Sequence, residues 1–156
     1  MSRRIKKKRK FPIVDPLYES YLVNLMILKI LKNGKKRLAQ NIIYEAFNLI
    51  KKKANTNPLK VFEKAIKNVS PSVKIQAKRV GGSTYQVPSE VKKFRGVNLG
   101  LSWILKYAKD RSGKTIAIRL ANEILEASRG VGNSIRKKEE THRIARSNKA
   151  FAHFRK

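Results

Sequence analysis

Few residues in this chain are of types and spacings that could do covalent or metal chemistry. Ser112-Gly113-Lys114-Thr115 has the ending of a phosphate-binding loop, in which backbone N–H groups cradle phosphate and the lysine reaches it. The full pattern needs a glycine at position 108, where the chain has Ala108. It also needs a preceding strand, where the apolar spacing predicts a helix. The stretch is therefore read as a helix connection. His142 and His153 lie eleven residues apart with no accompanying ligand set. The ten acidic residues are scattered, with no pair spaced for acid–base work. There is no cysteine, hence no disulfide, thiolate nucleophile or cysteine-based zinc site. No catalytic residue, metal ligand or cofactor is assigned, and the chain is not expected to be an enzyme.

The chemistry lies in the cations instead. The 156 residues hold 38 Lys and Arg against 10 Asp and Glu, a net charge of +28. A stand-alone soluble enzyme is poorly served by such self-repulsion, and the charge calls for a polyanionic partner. An anionic membrane surface is the secondary option, and no apolar run reaches the ~18 residues of a membrane span. The charge is not confined to a tail. Residues 1–53 carry 15 cations and 3 acids, residues 54–110 carry 11 and 3, and residues 111–156 carry 12 and 4. Clusters fall at Arg3, Arg4 and Lys6–Lys10, at Lys32 with Lys35, Lys36 and Arg37, and at Lys51–Lys53. Others fall at Lys74, Lys78 and Arg79, at Lys92, Lys93 and Arg95, and at Arg136–Lys138 with Arg143. Six clusters with so little counter-charge suit phosphates on several helices of a folded RNA. Tyr85, beside Lys78 and Arg79 in the predicted hairpin, serves either to stack on a base or to pack on the helices. Trp103 is assigned to the core.

The elements that must carry these clusters follow from hydrophobic period and turn chemistry. Residues 1–14 form a basic arm without core periodicity. Asp15-Pro16 is a cap and first-turn proline, starting a helix with Tyr18, Tyr21, Leu22, Leu25 and Leu28 on one stripe and Asn33-Gly34 at its end. A second helix runs over 36–52 with Leu38, Ile42, Ile43, Ala46, Phe47, Leu49 and Ile50 apolar. Asn57 caps a third, with Pro58 in its first turn and Phe62, Ala65, Ile66 and Val69 inward; Ser70-Pro71 closes it. The period then falls to two. Val73, Ile75 and Ala77 alternate with Lys74, Gln76 and Lys78, and Gly81-Gly82 separates this run from Ser83–Pro88, a β-hairpin over about 72–88. Helical period returns with Val97, Leu101, Ile104 or Leu105, and Ala108, then with Ile116, Leu120, Ile124 or Ala121, and Ala127. A polar sixth helix is predicted over 133–149, with Ile135, Ile144, Ala145 and Ala150 as its core contacts. The expected fold is mainly α: a six-helix bundle with a protruding β-hairpin between helices three and four and a basic N-terminal arm. Residues 15–156 are read as a single domain.

These segments together resemble the bacterial and organellar form of the small-subunit ribosomal protein seven family, over nearly the whole chain. The similarity is carried by Asp15-Pro16, by Asn33-Gly34-Lys35-Lys36 and by Asn57-Pro58-Leu59-Lys60-Val61-Phe62-Glu63-Lys64-Ala65. The most specific blocks are Arg79-Val80-Gly81-Gly82-Ser83-Thr84-Tyr85-Gln86-Val87-Pro88 and Lys137-Lys138-Glu139-Glu140-Thr141-His142-Arg143, followed by Asn148-Lys149-Ala150-Phe151-Ala152-His153-Phe154-Arg155. The resemblance implies direct binding to the 3′ major domain of the small-subunit rRNA. It also implies nucleation of head assembly, and a position near the exit-site tRNA and the mRNA path among neighbouring ribosomal proteins of the head and platform. Carried over by position, it places rRNA contacts at Arg3, Arg4, Lys35, Lys36, Arg37, Lys74, Lys78, Arg79, Lys92, Lys93 and Arg95. The tRNA and mRNA side falls at Gly81, Gly82, Tyr85 and Arg143. Gly100-Leu101-Ser102-Trp103 departs from the family, whose members often have an arginine just before the tryptophan, so one basic contact is expected to be absent there. The short tail and the start without a transit peptide fit an organelle-encoded plastid protein, with bacterial and plant-type mitochondrial origins as alternatives. An architectural DNA-binding protein is the competing class on composition; an RNA-processing enzyme is the third.

Overall fold

The computed structural model describes residues 14–155, so Arg3, Arg4 and all of the arm except Val14 lie outside the described residues. The helices are α1 (Tyr21–Ile30), α2 (Lys36–Ala54), α3 (Pro58–Val69), α4 (Lys93–Asp110), α5 (Ile116–Ser128) and α6 (Asn133–Ser147). Strands β1 (Val73–Val80) and β2 (Ser83–Glu90) lie between α3 and α4, and a terminal 3-10 helix covers Lys149–Arg155. The order of six helices with a hairpin after the third is the one expected from period and turn chemistry.

The core forms around α5, which packs against α2, α3, α4 and α6. Its inward side is built of small and branched residues: Ala117, Leu120, Ala121, Ile124 and Ala127, all buried. Small side chains let four neighbours approach one helix, while Phe47 of α2 and Phe62 of α3 fill the wider space (ring centroids 5.4 Å apart). Asn57 caps α3 through its Oδ1, which accepts from Leu59 N at 2.9 Å, and Pro58 occupies the first turn. Thr115 caps α5 by accepting from Ile118 N. The Ser112–Thr115 stretch is thus a helix start after α4, with no strand before it.

Four local expectations require correction. Asp15 caps, but what it caps is a single isolated turn: its Oδ2 accepts from Leu17 N and Tyr18 N. Glu19 then takes a left-handed conformation (φ 46°), and α1 begins only at Tyr21. Asp15 is itself buried and accepts from the Tyr44 hydroxyl at 2.9 Å. Burial, reinforced by that carboxylate, pushes the Tyr44 phenol up to about 12. Second, α1 buries Val23, Leu25, Met26 and Ile27, while Leu28 is exposed. The helix is apolar on nearly every side and lies between α2 and α4, so its composition does not mark which side is covered. Third, Leu38 of α2 is exposed and Ala39 is buried in its place. Ala150, expected to touch the core, is exposed in the terminal 3-10 helix, because α6 ends at Ser147.

The hairpin pairs Val73 with Glu90 through to Val80 with Ser83, two residues longer than expected at its β2 end. Gly81 and Gly82 form the tip at φ 56° and 88°, a two-residue turn needing positive φ at both positions. Its root is set by α4. A Cβ on Gly96 would stand 2.9 Å from the Pro71 carbonyl, so only glycine lets α4 pass this close to the end of α3. The alternation expected in β1 does not decide burial: Ala77 is exposed, and Val87 of β2 is the one buried residue of the hairpin.

Candidate nucleic-acid interface

The cations sit where helices begin. Lys35 precedes α2 as its N-cap residue, and Lys36 and Arg37 form its first turn, all three exposed. Lys92 precedes α4, with Lys93 and Arg95 in its first turn, again exposed. None of the six helices has an acidic residue in its first turn. A helix N-terminus carries partial positive charge, so cations there are destabilising and acids are the usual choice. Cations and backbone dipole together make these positions attractive to phosphate.

On the hairpin, Lys74, Lys78 and Arg79 stand opposite Ser89, Tyr85 and Thr84 respectively. Arg79, Gly81 and Gly82 are exposed. Tyr85 is half-buried, its ring 5.2 Å from that of Phe151 in the terminal 3-10 helix. Tyr85 thus packs on the terminal 3-10 helix in this structure. Arg143 is exposed on α6, where it shares a shallow face with Arg136, Lys138, His142 and Arg146 and with the two carboxylates Glu139 and Glu140.

Not every cation of the predicted clusters faces outward unengaged. Lys138 donates to the Asn68 carbonyl at 2.6 Å, closing the end of α3, and Lys137 pairs with Glu140 at 2.9 Å. Lys53 donates to Asn122 Oδ1 at 2.8 Å. Conversely, Ser102, where the resemblance led to an expected missing arginine, accepts from Lys29 Nζ at 2.8 Å. A cation from α1 therefore stands beside the place where one was expected to be missing.

Two features hold α6 and the hairpin in place. The Glu123 carboxylate is fully buried. It accepts from Arg111 Nε at 2.6 Å, from Ser134 N at 3.1 Å and from Ser134 Oγ at 2.5 Å. Arg111 also forms a two-pronged pair with Glu126, which holds that carboxyl below the usual range. One guanidinium thus ties the α4–α5 connection to α5, and Glu123 ties α5 to the first turn of α6. At the other end of α6, His142 Nε2 accepts from Ser72 N at 3.3 Å, just before β1. An imidazole that accepts there is neutral. Burial, then Lys138 and Arg146, lowers its pKa below 6.5.

Several surface groups escaped the sequence reading. Phe94 is a half-exposed aromatic inside the run Lys92-Lys93-Phe94-Arg95; the interleaving of an aromatic with cations was the available signal. Lys109 and Arg119 come together with Lys32 and Lys35 around one groove, a meeting of the α1–α2 turn with the α4–α5 connection that no local pattern announces. Among the described residues no cluster of three His, Cys, Asp or Glu could hold a metal. No described helix is long and apolar enough to cross a membrane.

Comparison with known proteins agrees with this arrangement. The chain is 56% identical to the small ribosomal subunit protein uS7c of Trieres chinensis, over 92% of this chain and 91% of that one. It is 51% identical to uS7c of Cyanidium caldarium and 51% identical to uS7 of Gloeothece citriformis (strain PCC 7424), each over 99% of both chains. The family model described as ribosomal protein S7p/S5e matches residues 1–149. With helices, hairpin and basic helix starts in place, the chain belongs to this family of structural ribosomal proteins, which are not enzymes.

Proposed function

We propose that the protein is a structural constituent of the small ribosomal subunit that binds the 3′ major domain of its rRNA directly and nucleates assembly of the head. The observation that carries this is the placement of exposed cations at the starts of α2 and α4, with no acid in either first turn. Lys35, Lys36, Arg37, Lys92, Lys93 and Arg95 would neutralise phosphates, aided by the helix dipoles. Lys74, Lys78 and Arg79 would extend the footprint along the hairpin, and Arg3 and Arg4 along the arm of residues 1–14. Residues 15–156 would act as one rRNA-binding domain with neighbouring ribosomal proteins around it. Gly81, Gly82, Tyr85 and Arg143 would lie on the side of exit-site tRNA and mRNA. We infer a plastid ribosome as the setting, over the bacterial cytoplasm or a mitochondrion, from a composition of 25 Lys against 13 Arg and the family's organellar form.

The test is a salt titration of binding to a transcript of the rRNA head domain. Each phosphate contact contributes about one unit to the slope of log affinity against log salt. Changing Lys35, Lys36 and Arg37 together to Ala should lower the slope by about three and weaken binding. An unchanged slope removes that turn from the footprint. Equal affinity of the wild type for duplex DNA would favour the architectural DNA-binding class instead.

A further inference from the structure

We propose that the groove between the α1–α2 turn and the α4–α5 connection receives one unpaired nucleotide of the bound RNA. Its base would lie on an apolar floor and its phosphates against the surrounding cations. The inference rests on the RNA-binding reading above and adds the state of the nucleotide and, beside Lys35 of the predicted footprint, residues outside it.

The floor is Leu38, Ile42 and Ile116. Leu38 is the telling member, for it is 57% exposed in the first turn of a helix whose inward side is already filled by Ala39 and Ile43. Leaving a leucine in water forgoes hydrophobic stabilisation that an apolar occupant would restore. The rim is Lys32, Lys35, Lys109 and Arg119, drawn from both connections, and no carboxylate lines the groove. Its volume of about 460 Å³ falls within the ~300–1,000 Å³ of sites that hold small organic groups.

The Arg119 guanidinium is fixed in advance. Its Nη1 donates to the Lys109 carbonyl at 2.8 Å and to the Arg111 carbonyl at 3.2 Å. Its Nε is buried with no hydrogen-bond partner among the described residues. Asn33, also on the lining, offers an amide that can both donate and accept at a base edge.

The mixture of floor and rim selects the occupant. A paired helix keeps its bases stacked inside and presents sugar and phosphate, which would use the rim and leave the floor wet. An unpaired nucleotide presents a flat apolar base and an anionic phosphate within one unit, matching both.

The test uses the full-length protein and a transcript of the rRNA head domain. Leu38→Ser should weaken binding roughly fivefold or more with the salt slope unchanged, because no ion pair is removed. Leu38→Met should restore affinity to within about twofold, and Lys109→Ala should lower the slope by about one. Leu38→Ser binding as tightly as wild type, or Leu38→Met as weak as Leu38→Ser, overturns the proposal. A photoreactive p-benzoylphenylalanine in place of Leu38 should crosslink to a nucleotide that chemical probing reports as unpaired. Crosslinks confined to stem nucleotides, or to an acidic segment of another head protein when those proteins are added, also overturn it. Failure of the wild type to prefer the rRNA transcript over duplex DNA would instead defeat the underlying RNA reading.

Discussion

Replacing Glu123 should cost the fold more than replacing any exposed lysine, although Glu123 touches no predicted partner. Its carboxylate is fully buried and accepts three hydrogen bonds, one from Arg111 and two from Ser134. Removing one member of a buried ion pair typically costs ~3–5 kcal/mol, because the other charge is stranded. Here Arg111 keeps its two-pronged pair with Glu126, and its side chain is 21% exposed. That places the ionic part near the lower end of the range. Ser134 loses partners for its N–H and its hydroxyl in a fully buried place, a penalty of ~1–3 kcal/mol. Glu123→Ala should therefore destabilise by about 4–6 kcal/mol in urea unfolding at neutral pH. At ~2–4 °C per kcal/mol for a chain of this size, Tm should fall by roughly 8–24 °C. Glu123→Gln should recover little, since its NH2 would face the Arg111 donor while its oxygen serves Ser134. Ser134→Ala, which removes one donor and leaves the carboxylate paired with Arg111, should cost about 1 kcal/mol. A loss below about 1 kcal/mol for Glu123→Ala, or a Glu123→Gln protein as stable as wild type, would refute the claim that this carboxylate fixes the start of α6.

Two further outcomes are expected. Gly96→Ala should destabilise by up to ~2 kcal/mol net in the same assay: its Cβ meets the Pro71 carbonyl at 2.9 Å, and overpacking of ~1–3 kcal/mol is set against a helix-propensity gain of about 1 kcal/mol. The contact between His142 and Ser72 should respond to pH. Because the folded protein holds the imidazole pKa below 6.5, the unfolded chain binds the proton more readily. The contribution is complete above pH 6.5 and is lost as pH falls through that value toward the lower folded one. The protection factor of the Ser72 amide, its exchange rate by NMR relative to the intrinsic rate at each pH, should fall on acidification in that window and stay independent of pH in His142→Ala.

Much of the fold was legible because it is locally encoded. Asn57-Pro58 starts α3 through a side chain two residues from the N–H it caps. Gly81-Gly82 makes the hairpin tip because positive φ is needed there whatever surrounds it. The strong period of α3 marks Phe62, Ala65, Ile66 and Val69 as buried, and they are. The start of α1 was misplaced because Asp15 satisfies the same cap chemistry for one turn as for a helix. Only the left-handed Glu19 between them, which no residue type demanded, separates the two.

The chain's charge, its clusters and their order along the backbone are properties of sequence, and so is the polyanionic partner they imply. Charge adds up without regard to packing, and caps and turns act over three or four residues. Tertiary structure decided the rest: that Glu123 is a buried anchor while Glu139 is exposed, and that Lys138 closes α3 while Arg143 faces outward. It alone brought Lys109 and Arg119 beside Lys32 and Lys35 around an exposed Leu38. These depend on which helices become neighbours around α5, and contacts such as Lys29 with Ser102 and Asn68 with Lys138, 73 and 70 positions apart, leave no trace in the local pattern at either end.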